Sequence, residues 1–315
     1  LVAAVEEIVE QHTAGSPMNP DIRWTNRSPS DICEALVARG FYVWPQTVRR
    51  ILQEDLDLGL RQACKIETTC HYPDRNAQFE YIAELRERFH DCGRPVLSID
   101  TKKKEKLGDF YRPGAAWTDG FVTAPDHDFP SQATGKLTPY GVYDVGANQG
   151  FMLLSTGADT AELACEAVRQ WWCRVGQYNY RPRPREILLL CDCGGSNSYR
   201  QYLFKQELKH LAMRLKMTIR VAHYPPGCSK YNPIEHRMFC HVSRSLRGVI
   251  LDRLETAAHY IGQTRTLTGL KVLAEKARQI YVKAQKATTE FLERMPIFFD
   301  KNRPELNYWA TPCEY

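Results

Sequence analysis

Residues 224–237 read Tyr224-Pro-Pro-Gly-Cys-Ser-Lys-Tyr-Asn-Pro-Ile-Glu235-His-Arg. Pro and Gly crowd the first half into a turn. The Asn232-Pro233 pair then opens a helix, because Pro fits the first helical turn and disfavours helix before it. Glu235 therefore falls in that first turn, where its carboxylate can reach whatever is held over the helix N-terminus. Two aspartates stand at comparable boundaries: Asp100 closes the apolar run Pro95-Val-Leu-Ser-Ile, and Asp192 closes Ile187-Leu-Leu-Leu-Cys ahead of Gly194-Gly195. Two strand-end aspartates and one helical glutamate make an all-oxygen ligand set suited to hard divalent cations.

Such a set matches the demands of phosphodiester cleavage. Two Mg²⁺ (or Mn²⁺) ions about 3.5–4 Å apart can stabilise the attacking and the leaving oxygen. On this reading Asp100 bridges both ions, while Asp192 and Glu235 hold one each. Lys102 and Lys104 after Asp100, and Lys230 and Arg237 around Glu235, are candidate phosphate contacts. Ser196 is placed to cap the helix that follows Asp192. The bland readings remain open: a strand-end Asp before Gly is often only a turn residue, and a first-turn Glu often only complements the helix dipole. Asp144 competes for a catalytic role.

Around these residues the periodicity predicts strands at 96–101, 107–112, 139–145, 149–155, 187–191 and 218–223, with helices at 76–91, 159–175, 198–215 and 233–246. Meandering strands followed by alternating helix and strand predict an α/β fold, a mixed sheet with helices on both faces. The segment 113–136, rich in Pro, Gly, Asp and Thr, is expected to form a long and mobile connection. Upstream, helices are expected at 1–12, from the Ser28 cap to about Ala38, and from Pro45 to Leu52. The last puts Val48, Ile51 and Leu52 inward and Gln46, Arg49 and Arg50 outward, the layout of a helix-turn-helix with DNA-facing residues or of a helical pair that simply packs. The tail from Pro296 reads only as an extended arm or lid.

Composition narrows the class. The chain has 315 residues, 43% hydrophobic and 25% charged, enough for about two globular domains. Its net charge of +5 divides into −4 over residues 1–95 and +9 over 96–315, so the basic excess accompanies the acids. No apolar run approaches the ~20 residues that cross a bilayer. The opening Leu1-Val-Ala-Ala-Val-Glu-Glu is not a signal peptide; without an initiator Met it reads as a fragment lacking its upstream part. Eleven cysteines without a regular frame are then expected to be free thiols in a reducing cytoplasm. Cys228, His236, Cys240 and His241 suggest zinc, but no close Cys pair anchors them.

Taken in order, the motifs resemble the DDE transposases of bacterial insertion sequences, specifically the ISAzo-type family. The resemblance is carried by His71-Tyr-Pro-Asp-Arg-Asn-Ala-Gln-Phe79, Asp100-Thr-Lys-Lys-Lys-Glu105, Pro139-Tyr-Gly-Val-Tyr-Asp144, Asp192-Cys-Gly-Gly-Ser-Asn197, residues 224–237 and Thr268-Gly-Leu-Lys-Val272, and covers most of residues 15–275. Asn232-Pro-Ile-Glu235 is also similar to the third-acid motif of mariner-type transposases. Cys193 stands where such proteins usually carry a small residue such as Ala.

The resemblance implies an RNase H-like catalytic domain at 95–275, preceded by a small all-α helix-turn-helix region at 1–70 and a helical linker at 71–94, and followed by a C-terminal helix and tail at 276–315. It implies that Asp100, Asp192 and Glu235 are the catalytic, metal-binding triad. The expected reaction is Mg²⁺- or Mn²⁺-dependent cleavage at transposon ends, then strand transfer into target DNA. The expected partner is double-stranded DNA, bound by a homodimer in a bacterial cytoplasm. A nuclease of the same fold without strand transfer, or an inactive DNA-binding descendant, are the alternatives.

Overall fold

The computed structural model describes residues 1–16, 19–60, 72–116, 120, 123–125, 130–283 and 285–313. His71 and much of the 113–136 connection lie outside the described residues. The chain divides into two compact units, Leu1–Glu67 and Thr68–Tyr315.

In the first unit, helix α1 (Val2–Gln11) precedes an antiparallel hairpin of β1 (Thr13–Ser16) and β2 (Asn19–Thr25). Helices α2 (Pro29–Val37) and α3 (Pro45–Arg50) follow, and α3 runs on as a π-helical turn, Ile51–Asp55. Ser28 and Asp31 form a capping box: the Asp31 amide donates to Ser28 Oγ at 3.2 Å, and the Ser28 amide to Asp31 Oδ2 at 2.8 Å. Val5, Ile8, Ile32, Leu36, Val48 and Ile51 make the core, leaving Gln46, Arg49 and Arg50 exposed. The hairpin corrects the all-α expectation. Asp21-Ile-Arg-Trp-Thr25 alternates polar and apolar residues, a strand signal easily missed beside so many turn residues.

The second unit is organised on a nine-stranded sheet. Its strands are β3 (Val96–Thr101), β4 (Glu105–Leu107), β5 (Gly135–Asp144), β6 (Gln149–Ser155), β7 (Glu186–Cys191), β8 (Thr218–His223), β9 (Lys271–Lys276), β10 (Phe298–Phe299) and β11 (Asn307–Ala310). Their order is β10-β11-β8-β7-β3-β5-β6-β9, with β4 on β5. The meander β6-β5-β3 is antiparallel, while β7 and β8 continue parallel to β3, which is the RNase H-like topology.

Helix α4 (Arg75–Asp91) precedes the sheet. Helix α5 (Ala161–Trp171) follows β6, and α6 (Tyr202–Leu215) follows β7. After β8 come a π-helical turn at Glu235–Phe239, its continuation α7 (Cys240–Ser245), and α8 (Leu254–Gly262). Strand parity decides which helices meet which residues. Leu97, Ile99, Ile187, Leu189 and Cys191 pack with α5 and α6 on one face. Val96, Leu188 and Leu190 pack under α4, and Ile234, Met238 and Phe239 cover β5 and β6, on the other.

Four expectations shift. The 107–112 strand is instead Glu105–Leu107. Helix α6 starts at Tyr202 rather than near Ser198 and has no side-chain cap. Ser196 does not cap it, because Gly195–Asn197 form a separate 3-10 turn that buries the serine. The tail is no free arm either: β11 pairs antiparallel with β8, and β10 with β11.

Candidate active site

Asp100 and Asp192 share a face because each lies an even number of residues from Ser98 or Leu190, which are register partners on the parallel strands β3 and β7. That face is the one covered by the helix beginning at Glu235. The helix is fastened there by a buried cluster. Ser98 Oγ donates to Asn232 Oδ1 at 2.5 Å and accepts from the Ile234 amide at 2.9 Å, while Asn232 Nδ2 donates to the Ile99 carbonyl at 3.2 Å. The Asn-Pro-Ile-Glu run is thus tied to the strand that presents Asp100. Opposite Asp100 in the ladder is Gly141. A Cβ there would lie 2.5 Å from Phe239 and 2.8 Å from Ile234, so only glycine lets the helix sit directly on β5.

The two aspartates are held in unlike ways. Asp100 Oδ1 accepts from the Thr101 amide at 2.7 Å. Among the described residues Asp192 Oδ1, which is buried, finds no hydrogen-bond partner. Burial lifts the Asp100 carboxyl well above the usual carboxylate range, and the negative charge of Asp192 lifts it further. Burial likewise raises Asp192, with Glu235 and Asp159 adding to the shift against the backbone amide of Gly194. Glu235 itself is exposed. Among the described residues no three His, Cys, Asp or Glu side chains stand close enough together to hold a metal ion as they are placed. The donors are nonetheless all oxygen, mutually repelling and, at Asp192, unsatisfied, which is what a cation would relieve.

A fourth carboxylate escaped sequence reasoning. Asp159, just before α5, accepts from Thr101 Oγ at 2.9 Å and raises both aspartates electrostatically. It comes from the α5 face and meets the others at the end of the sheet. Its only sequence signal is its place in Asp159-Thr160, ahead of a capped helix.

The Asp192 loop is also braced from the C-terminal tail. His223 is fully buried, and burial holds its pKa down to about 4, so the ring is neutral. Its Nδ1 donates to the Asp192 carbonyl at 2.8 Å, which leaves Nε2 to accept from the Tyr308 hydroxyl at 2.9 Å. Gln78 on α4 joins the same network, donating to the His223 carbonyl and to Asn307 at 2.9 Å each.

Asp144 faces away. Its register partner is Leu97, and its oxygens accept from Tyr180 and from the amides of Gly146 and Ala147, so it organises a turn on the opposite face. Lys102 departs from its expected place: it lies past the end of β3, buried, and pairs with Glu105 at 3.2 Å, so its charge is already committed. Lys104 is half-buried and lines a cavity with Asp159 and Ser196. Lys230 and Arg237 are exposed on either side of Glu235. The zinc group does not assemble: Cys228 Sγ accepts from Arg75 Nε, and Cys240 Sγ donates to the His236 carbonyl.

A family model described as Rhodopirellula transposase DDE domain matches residues 4–312, reaching past the recognised motifs into the C-terminal strands. Among solved structures, the chain is similar to the Mos1 transposase paired-end complex with left transposon end, at 14% identity over 83% of this chain and 69% of that one, with a TM-score of 0.43. The Mos1 Strand Transfer Complex is 15% identical over 83% and 69%, TM-score 0.41. The Mos1 mariner paired end complex with Mn is 13% identical over 83% and 70%, TM-score 0.42. No curated protein sequence matches the chain. No helix among the described residues is long and apolar enough to cross a membrane.

Proposed function

The chain belongs to the DDE transposase family, and from that premise we propose that Asp100, Asp192 and Glu235 are its catalytic acids. The activity is metal-dependent DNA cleavage and transfer in transposition. The observation that carries the assignment is the buried tie from Ser98 to Asn232 and Ile234, which sets the Glu235 helix over the strand face of Asp100 and Asp192.

The all-oxygen donor set and the orphaned Asp192 Oδ1 fit hard divalent cations, so the three acids would hold Mg²⁺ or Mn²⁺, two ions in all. Such ions, when bound, acidify a water nucleophile and neutralise charge on the transferring phosphate. The chain's own part is to hold the acids rigidly. Ser98 and Asn232 orient Glu235, Thr101 binds one oxygen of Asp100, and His223 fixes the Asp192 backbone. On this reading Lys104, Lys230 and Arg237 meet DNA phosphates. Lys102, already paired, contributes through Glu105 rather than as a free cation.

We further propose that α2 and α3 form an end-binding module in which the exposed Gln46, Arg49 and Arg50 meet duplex DNA. Two protomers act together, since a transposon has two ends to process. The deciding experiment incubates the chain and Asp192→Asn with duplex DNA of the element ends and Mg²⁺ or Mn²⁺. The native chain alone should cut at the ends and join the cut 3′-hydroxyl to target DNA, while both bind. Cleavage by the variant at the native rate would remove Asp192 from the site. Light scattering of the DNA complex reads its protomer number.

A further inference from the structure

The surface beside Asp192 continues away from the acids with a different chemistry. One cavity of 370 Å³ is lined by Asp192, Tyr199 and Arg200, and a second of 520 Å³ by Arg75, Lys230 and Tyr231. Pro226 and Gly227 line both, so the two cavities adjoin at this turn.

The first cavity pairs an aromatic ring with one cation and the second with two. Arg200 lies 5.1 Å from the Tyr199 ring centroid. Arg75 lies 5.5 Å from Phe79 and 5.7 Å from Tyr231, and Lys230 lies 5.1 Å from Tyr231. Phe79 packs edge-on against Tyr231 at 5.0 Å and fixes its plane, yet Tyr231 stays 42% exposed. Among the described residues Arg75, Arg200 and Lys230 make no ion pair. Arg75 instead spends its donors on Cys228 Sγ and the Tyr231 hydroxyl. Asp74, the acid on the second cavity's wall, is turned to Arg303 at 3.8 Å.

Tyr231 is exposed, and Tyr199 is half-buried with one edge against His223 at 6.1 Å. A duplex keeps its base faces stacked inside and has no use for such rings. An unpaired strand offers both a π-face and a phosphate at every nucleotide. We propose that the two cavities form a track for an unpaired DNA strand running from Asp192, with one base stacked on Tyr199 and another on Tyr231, their phosphates met by Arg200, Arg75 and Lys230. The track begins at a proposed catalytic acid and ends in the turn that leads into Glu235, so a strand lying in it passes the cleavage site. The proposal takes its substrate from the transposase reading.

The test measures fluorescence anisotropy of the full chain with a labelled oligodeoxythymidylate of about 20 nucleotides and with a duplex of equal length. Tyr199→Ala and Tyr231→Ala should each weaken oligonucleotide binding about tenfold and leave duplex binding unchanged, while the Phe variants bind as the native chain does. Equal loss on the duplex, undiminished oligonucleotide binding by the Ala variants, or tighter binding of oligouridylate would each overturn the track. The Phe variants separate lost stacking from lost folding. Cleavage of element ends by the native chain is read independently. Ring-dependent strand binding without cleavage would leave the track standing and sink the catalytic assignment.

Discussion

Ser98 and Asn232, 134 residues apart, share a 2.5 Å hydrogen bond in a site closed to solvent, and that bond joins the Asp100 strand to the Glu235 helix. Ser98 Oγ serves two partners, so Ser98→Ala orphans both Asn232 Oδ1 and the Ile234 amide. Leaving buried polar groups unmade costs about 1–3 kcal/mol. The expected result is a lower chemical-denaturation midpoint with an unchanged slope, and a fall in metal-dependent cleavage larger than any fall in DNA affinity. A cleavage rate that follows the folded fraction alone would show that the bond holds the fold but does not aim Glu235.

Gly141 tests the same geometry sterically. In Gly141→Ala the new methyl would stand 2.5 Å from the Phe239 ring, so the helix must lift off β5. Overpacking of this kind typically costs about 1–3 kcal/mol. Cleavage should be lost, and Phe239→Leu in the same chain should restore part of it by making room. No restoration would mean that the damage lies in the strand rather than in the seating of the helix.

The elements that carry the acids were legible because each acid sits at a boundary that local chemistry marks. Two close apolar runs, and one follows Asn-Pro. Which acids meet depends on face and register, which no single run of sequence records. Asp144 looked eligible as a strand-end acid, but parity turns it toward Tyr180. Asp159 has no mark in the sequence beyond its place at the start of a helix, yet it accepts from Thr101 across the sheet end. The terminal strands were missed because two and four residues are too few to show alternation, and β11 becomes a strand by pairing with β8.

The contrast at Asp144 is itself testable. Asp144→Asn keeps the side chain's shape but weakens its bonds to Tyr180 and to the 146–147 amides. Stability should fall by about 1–2 kcal/mol, as for hydrogen bonds to a charged group, while cleavage well below the melting temperature stays native. Abolished cleavage in a folded variant would return Asp144 to the list of catalytic acids.

The buried acids dictate a pH dependence. Asp100 is raised to about 8 and Asp192 to about 6, burial being the largest cause in both and the neighbouring acids adding to it. Above the unfolded value of about 4, the folded metal-free chain therefore holds more protons than the unfolded chain. Its stability must fall as pH rises through this window. Divalent metal replaces those protons, so the stabilisation by Mg²⁺ should grow from about pH 5 to about pH 8. Melting curves with and without Mg²⁺ check this, and Asp192→Asn should flatten the metal-free decline. A decline equally steep in the variant would place its origin outside this site.

The tail strand offers the last test, because Tyr308 reaches Asp192 through His223. In Tyr308→Phe the ring still packs, but His223 Nε2 is left buried without a donor, which costs about 1–3 kcal/mol. The imidazole is then free to change tautomer, and with the wrong one Nδ1 no longer donates to the Asp192 carbonyl. His223→Asn distinguishes this route from general damage, since its amide can reproduce the Nδ1 donor, whereas that of His223→Gln extends toward Tyr308 instead. Cleavage should therefore survive better in His223→Asn than in His223→Gln at matched stability, with DNA affinity equal in both. Equal losses in the two variants would mean that the imidazole supports the Asp192 loop by filling space and not by holding its backbone.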